Sequence, residues 1–137
     1  MLYEKDERNS TIEQQRKNIQ EQLEKGSLAF VLEHNKKLVG YVFGNIFTAN
    51  RKKYCMNLAI AFLQEYTVKG YGTKLMNTIE EYAINNRITR LELEVAKTNK
   101  VAISLYQKTG FEEEGIKRNA FLVNGKYEDE LLMAKII

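Results

Sequence analysis

Apolar residues in the middle of the chain change their period twice, which predicts a strand, a helix and a second strand in succession. Leu58 to Leu63 is a continuous apolar run, typical of a buried strand. From Leu75 the apolar residues recur at helical spacing, and Thr89 to Val95 alternates apolar with polar positions. A strand, helix and strand so connected predict a parallel pair with a right-handed crossover. Both carboxyl ends then lie at one edge of the sheet, where such sheets bind ligands.

The helix of this unit is predicted to be amphipathic. Its apolar positions fall on one face, at spacings of three and four residues, and polar positions fall away from it. The apolar face consists of Leu75, Met76, Ile79, Tyr82 and Ala83. We expect this face to pack on the sheet.

Further elements are predicted on both sides of this unit. A helix over about Thr11 to Glu24, with Ser10 and Glu13 at capping-box spacing, is charged enough to lie at the surface. Later segments predict a short helix over Lys100–Lys108, strands over Phe111–Ile116 and Asn119–Val123, a turn at Asn124-Gly125 and a closing strand over Tyr127–Ile136. We therefore expect residues 1–137 to form one α/β domain with a central mixed sheet flanked by helices.

A hairpin is predicted between the first helix and the central unit. Leu28–Leu32 and Leu38–Phe47 are strand-like runs separated by a few polar residues. The turn carries His34, the single histidine of the chain. Because turns lie at the surface, solvent exposure is expected for this side chain in preference to a catalytic role.

The composition narrows the class of protein. The 137 residues are 44% hydrophobic and 28% charged, as in ordinary globular domains. A net charge of +3 is too small to indicate nucleic acid but suits a ligand that carries phosphates. Cys55 is the only cysteine, which excludes an intrachain disulfide, and no metal site is predicted. Without a long apolar run or a signal-peptide core, the expected location is the cytoplasm, away from membranes.

A glycine turn separates the first strand of the central unit from its helix. It spans Thr67 to Thr73 and contains Gly70 and Gly72. Glycines at a strand-to-helix junction allow backbone N–H groups to converge on an anion, which predicts a phosphate site. The dinucleotide pattern needs glycine or alanine where Leu75 stands, and the Walker pattern is absent. A mononucleotide ligand is therefore disfavoured, although it stays an alternative.

A second motif lies beyond the second strand of the unit. Residues 99–111 run from Asn99 through Ala102 and Tyr106 to Gly110-Phe111. Together with the glycine turn, this spacing resembles the acyl-CoA-binding core of the GCN5-related N-acetyltransferases. The resemblance departs at Thr67, where that family usually has glutamine or arginine. It implies the fold of that family, with a mixed sheet whose central parallel strands splay apart.

The resemblance also implies a cofactor and a set of site residues. Backbone amides of the glycine turn would hold the pyrophosphate of acetyl-CoA, and the chain around Phe62 would meet its pantetheine arm and thioester. Tyr106 matches the family tyrosine that protonates the CoA thiolate. Asn99 matches an asparagine that contacts the pantetheine arm, and it also suits a helix cap. The expected acetyl-CoA ligands are Phe62, Leu63, Val68, Lys69, Gly70, Tyr71, Gly72, Thr73 and Asn99.

Two differences from the family pattern concern the part of the site that would bind and activate the acceptor amine. Asn57 stands where many relatives carry a glutamate base, so Glu92, Glu94 and Asp129 remain as candidate carboxylates, each also suited to a solvent-facing strand position. The alternative is attack by the neutral fraction of the amine. The family's usual first strand and helix are also expected to be missing, which would leave the acceptor pocket open, completed by a partner chain, or impaired.

The sequence thus predicts an N-acetyltransferase that moves the acetyl group of acetyl-CoA to a primary amine by direct attack. The acceptor is expected to be a small molecule or a peptide, and a homodimer is a possible assembly. The rival hypothesis is a non-catalytic acyl-CoA-binding or interaction domain, favoured by Thr67 and Asn57. A basic loop from Thr48 to Lys53 is left with two interpretations, contact with the 3′-phosphate of CoA or no ligand at all.

Overall fold

The elements of the chain follow the predicted order. In the computed structural model, which describes residues 10–66 and 70–137, they are α1 (Ile12–Glu24), β1 (Leu28–His34), β2 (Lys37–Ile46), β3 (Cys55–Phe62), α2 (Tyr71–Asn85), β4 (Arg90–Ala96), α3 (Lys100–Lys108), β5 (Glu112–Val123) and β6 (Lys126–Ile136). A single 3-10 turn, Gln64–Tyr66, follows β3. The two strands predicted after α3 are one strand, β5, whose pairing with β6 shifts register between Lys117 and Phe121.

The six strands form one mixed sheet in the order β1-β2-β3-β4-β6-β5. β3 and β4 are parallel, and every other neighbouring pair is antiparallel. The predicted α/β class, with a central parallel pair in a mixed sheet, is confirmed. Because β3 and β4 are parallel, their carboxyl ends lie at the same edge, together with the starts of α2 and α3.

The core lies between one face of the sheet and the helices α2 and α3. Alternate positions of β4 point into it, and α2 contributes the apolar face that its spacing predicts. Members buried to at least 94% include Leu75, Met76, Ile79, Ala83, Leu91, Leu93, Val95, Tyr106 and Phe111. Each fully buried large aliphatic side chain stabilises the fold by about 1.5–3 kcal/mol.

The first helix has the predicted exposure but a different cap. None of the residues of α1 is buried. The capping box joins Thr11 and Gln14 in place of Ser10 and Glu13: the Gln14 N–H donates to Thr11 Oγ1 at 3.1 Å, and the Thr11 N–H donates to Gln14 Oε1 at 2.9 Å. The physical reason is that Thr11 is the last residue with extended backbone angles. The N–H groups that lack a partner within the helix therefore begin at Ile12, one residue later than a cap at Ser10 would require.

The predicted hairpin is formed by β1 and β2, and its turn differs from expectation at His34. Asn35 and Lys36 adopt positive φ of 49° and 61°, which suits the twist of a two-residue turn. The His34 side chain, expected in solvent, is half-buried because the hairpin end packs against Tyr66 and Tyr71.

The basic loop from Thr48 to Lys53 lies at the amino-terminal end of β3, whereas the glycine turn follows the opposite end. The eight residues of β3 place its two ends about 23 Å apart. Lys52 lies over the Phe47 ring, with its Nζ 4.2 Å from the ring centroid. The loop therefore does not share the sheet edge where the predicted site lies.

Candidate functional site

Two strands separate at the carboxyl edge of the sheet. β3 and β4 pair only as far as Asn57 and Glu92, although β3 continues to Phe62 and β4 to Ala96. The gap between their last residues, here called the opening, is the splay that the sequence predicts. It lies directly beside the residues that precede α2 and α3.

The backbone of β3 lines one side of the opening. Alternate residues of an antiparallel strand bond to one neighbour, and the others direct their N–H and C=O groups to the opposite side. The Leu63 N–H donates to the Val39 carbonyl at 2.9 Å, so the odd-numbered residues of β3 face β2. Ile60 and Phe62 accordingly direct their backbone groups into the opening.

Because of this alternation, the two residues predicted to contact the pantetheine arm direct their backbone groups to different sides of β3. Phe62 directs its backbone groups into the opening, whereas Leu63 donates to Val39 and accepts a hydrogen bond from the Tyr66 N–H at 2.9 Å. The Leu63 N–H is therefore committed to β2. Ile60 was not predicted as a site residue. The signal that identifies it is the two-residue period of the strand, counted back from Phe62.

The backbone of β4 lines the other side. The Lys97 N–H donates to the Asp129 carbonyl at 3.0 Å, which fixes the odd-numbered positions of β4 toward β6. By the same alternation, Glu94 and Ala96 direct their backbone groups toward β3. The opening is thus bounded by main-chain donors and acceptors on both sides, as an extended amide-containing ligand requires.

The start of α2 presents amides without a side-chain cap. Gly70 is the N-cap residue, with a φ of 77°, and it makes no side-chain capping bond. The first N–H groups of a helix have no partner within the helix, so those of Tyr71, Gly72 and Thr73 point outward at its positive end. This arrangement suits an anion. The predicted ligands Val68 and Lys69 lie outside the described residues.

Close packing between α2 and α3 depends on Gly72. A Cβ placed on this glycine would lie 2.6 Å from Leu105 Cδ2, closer than side-chain carbons approach one another. Gly72 is buried, and Leu105 immediately precedes Tyr106 on α3. The glycine therefore brings the amide-bearing turn of α2 against the helix that carries the predicted acid.

Asn99 occupies the N-cap position of α3. Its Oδ1 accepts a hydrogen bond from the Ala102 N–H at 3.2 Å. This is the capping role foreseen for the residue, and it stabilises the helix by about 1 kcal/mol. The Asn99 side chain is exposed at the same sheet edge as the opening, so its predicted contact with the pantetheine arm stays a prediction.

Tyr106 is the buried phenol of the site. The residue is 6% exposed, its ring centroid lies 6.0 Å from that of Phe111, and burial raises its pKa to about 12. Among the described residues, the Tyr106 ring is packed in the core.

The carboxylates considered as bases all have partners. Glu92 accepts from Arg90 Nε at 2.9 Å and Glu94 accepts from Lys117 Nζ at 2.5 Å. Asp129 accepts from the backbone N–H of Asn119 at 3.0 Å, and its other oxygen lies 4.0 Å from Lys97 Nζ.

Glu130, which the sequence analysis did not single out, lies opposite Ala96 on β6. Partial burial, and then the nearby Glu94 carboxylate, raise the pKa of Glu130. Across the described residues, no group of three or more potential ligands is arranged to hold a metal ion, and no helix is long and apolar enough to span a membrane.

Comparison with known proteins decides the family. The model of the acetyltransferase (GNAT) family matches residues 2–111, which is more than half of the chain. The protein belongs to the GNAT family. The resemblance inferred from the two motifs is thereby confirmed.

Among curated GNAT relatives, the L-amino acid N-acetyltransferase AaaT of Escherichia coli (strain K12) is 31% identical over 72% of this chain and 62% of its own length. The spermidine N(1)-acetyltransferase of Vibrio cholerae is 31% identical over 73% of this chain and 58% of its own. The matches thus span about three fifths of these relatives. A solved GNAT acetyltransferase from Streptococcus pneumoniae superposes with a TM-score of 0.85 at 29% identity, over 94% of this chain and 79% of that one.

Proposed function

We propose that the protein is an N-acetyltransferase that uses acetyl-CoA to acetylate a primary amine by direct attack. Membership of the GNAT family supports the reaction class. The observation that carries the proposal is the separation of β3 and β4 beside the uncapped start of α2. The uncapped amides suit the pyrophosphate and the opening suits the pantetheine arm, while Tyr106 is a buried phenol on the helix that follows β4.

The cofactor is proposed to bind mainly to backbone groups. The amides of Tyr71, Gly72 and Thr73 hold the pyrophosphate at the positive end of α2, and Thr73 Oγ1 adds a hydrogen bond. The pantetheine amides pair with Ile60 and Phe62 along β3. When bound there, acetyl-CoA supplies the thioester as the acetyl donor.

Tyr106 is proposed to supply the proton that the leaving thiolate takes up. The amine nitrogen attacks the thioester carbon, the C–S bond breaks, and the nitrogen loses its proton to water. The thiolate takes a proton from the Tyr106 hydroxyl, which is afterwards restored from solvent. Because the pKa of Tyr106 is about 12, the phenol holds its proton throughout the physiological range.

The acceptor is proposed to react as a neutral amine. Glu92 and Glu94, the strand carboxylates beside the opening, are held by Arg90 and Lys117, and an amide stands at Asn57. No carboxylate base is therefore assigned. The names of the relatives include acetyltransferases of an L-amino acid, of spermidine and of the ribosomal protein bS18 alanine, so the proposed class of acceptor is a primary amine on a small molecule or peptide.

A non-catalytic acyl-CoA-binding domain is the second candidate, and Asn57 at the place of the expected base is the observation that favours it. Titration calorimetry with acetyl-CoA, followed by thiol release over a panel of amines, separates the two. The panel contains spermidine, several L-amino acids and a peptide with an N-terminal alanine, with ATP as the control ligand.

We expect acetyl-CoA binding, no ATP binding, and thiol release with at least one amine at a rate that rises with pH toward the pKa of that amine. Binding of acetyl-CoA without amine-dependent release across the panel would favour the second candidate. Binding of ATP in preference to acetyl-CoA would contradict both.

A further inference from the structure

Three aromatic side chains meet beside the start of α2 and form what is here called the aromatic cluster. His34 ends β1, Tyr66 ends the 3-10 turn after β3, and Tyr71 is the first residue of α2. The ring centroids lie 5.8 Å apart for His34 and Tyr66, 5.6 Å for His34 and Tyr71, and 5.9 Å for Tyr66 and Tyr71. Each ring thus contacts both of the others, at distances typical of favourable aromatic pairs.

Hydrogen bonds fix the orientation of the imidazole within the cluster. Nε2 of His34 lies 3.3 Å from Nδ2 of Asn35, and Nδ1 of His34 lies 3.2 Å from the Tyr71 hydroxyl. His34 Nδ1 and Tyr71 Oη share one hydrogen bond, whose donor is set by the tautomer of the imidazole. The hairpin turn and the first residue of α2 are joined directly by this bond.

Other described contacts lie close to the aromatic cluster. Lys37 Nζ lies 3.1 Å from Glu65 Oε1, but both side chains are more than half exposed, and exposed pairs contribute little. The bond from Leu63 to Val39 extends the β2–β3 ladder. Farther along the helix, Phe30 of the hairpin and Tyr82 of α2 lie with their ring centroids 5.7 Å apart. The aromatic cluster joins the end of the hairpin to the first residue of α2.

We propose that the aromatic cluster positions the phosphate-binding amides of α2, with His34 as its positioning residue. Tyr66 ends the 3-10 turn and Tyr71 begins α2, so their mutual contact and their contacts with His34 fix the first residue of α2 relative to the hairpin and the 3-10 turn. An amide site that is preorganised in this way binds its anion without the cost of ordering the chain. The inference rests on the proposed function and adds to it a determinant of acetyl-CoA affinity.

The test measures the dissociation constant for acetyl-CoA by calorimetry for four single variants and one double variant. His34→Ala removes the ring, His34→Phe keeps the ring and removes the hydrogen bond, and Tyr71→Phe removes that bond from the other side. Tyr54→Phe, at the far end of β3, is the matched control.

We expect the dissociation constant to rise about tenfold for His34→Ala and about threefold for His34→Phe and for Tyr71→Phe, as the loss of one hydrogen bond predicts. The double variant with phenylalanine at both positions should match either single variant, because both remove the same bond. Turnover of the His34 variants at saturating acetyl-CoA should stay within about twofold of the unmodified protein, because the cluster acts on binding.

Failure of the proposed function and failure of this inference give different results. If the unmodified protein does not bind acetyl-CoA, the proposed function is overturned and the inference with it. If it binds, and the His34 and Tyr71 variants bind as tightly as Tyr54→Phe, the inference alone is overturned. A fall in turnover with an unchanged dissociation constant would also overturn it.

Discussion

A phenol surrounded by apolar side chains is hard to ionise, and this property decides what Tyr106 is able to do. Its pKa of about 12 exceeds the ordinary value of a thiol, about 8.5, by roughly 3.5 units. Complete proton transfer to a free thiolate would therefore cost about 5 kcal/mol. The transfer to the thiolate is therefore uphill, and it is drawn forward because solvent restores the proton to the phenolate. The same burial keeps the phenol in its acid form, so an alkaline limb of activity below pH 10 would not come from Tyr106.

The burial of Tyr106 also predicts how stability depends on pH. The folded pKa is raised above the unfolded value of 10, so the stability contribution is complete below pH 10 and is lost as the pH rises toward 12. The loss amounts to about 3 kcal/mol. Urea unfolding between pH 8 and 11.5 should show a shallower alkaline decline for Tyr106→Phe than for the unmodified protein. Tyr127→Phe, an exposed control, should keep the original slope, and equal slopes for all three proteins would contradict the assigned burial.

At the scale of elements, the start of α2 combines a strained backbone position with a close helix contact. Gly70 has a φ of 77° and open space around its Cα, whereas Gly72 meets Leu105. The two glycines thus serve different purposes, since the first turns the chain and the second permits packing. Both were expected from the sequence as anion-site glycines, but the packing role of Gly72 depends on Leu105, which lies more than thirty positions later and has no signature in the local motif.

A matched pair of glycines tests the backbone requirement. Gly70 and Gly125 have nearly equal φ, 77° and 75°, and neither has a neighbour within 4 Å of an added Cβ. Alanine at either position should lower the free energy of unfolding by about 1–2 kcal/mol, because the left-handed region is strained for residues with a Cβ. Only Gly70→Ala should also weaken acetyl-CoA binding, by about tenfold or more, when both are compared by calorimetry. Equal binding by the two variants would show that the backbone at Gly70 does not shape the site.

Periodicity predicted the type and order of the elements because each buried face repeats with the period of its element. The finer features depended on single residues. The cap of α1 moved from Ser10 to Thr11 since both residue types suit an N-cap and only the backbone angles distinguish them. Leu63 was expected in the site, but its N–H donates to Val39, because the odd-numbered residues of β3 direct their backbone groups toward β2. The sequence of β3 alone does not show which of its residues form hydrogen bonds with β2.

Across the whole molecule, the sheet order explains how distant segments form one site. Parallel β3 and β4 place the starts of α2 and α3 at one edge, and the divergence of the strands after Asn57 and Glu92 creates the opening between them. The second motif begins at this edge with Asn99 and continues along α3. The half-buried environment of His34 was missed because it depends on Tyr66 and Tyr71, which tertiary packing brings to the hairpin.

In the proposed chemistry, main-chain amides hold the cofactor and a single side chain, that of Tyr106, protonates the leaving sulfur. The most direct test is turnover of Tyr106→Phe at saturating acetyl-CoA and amine, together with its dissociation constant for acetyl-CoA. The account predicts turnover lower by about a hundredfold, in the range of general acid catalysis, with the dissociation constant nearly unchanged. Turnover equal to that of the unmodified protein would remove Tyr106 from the mechanism.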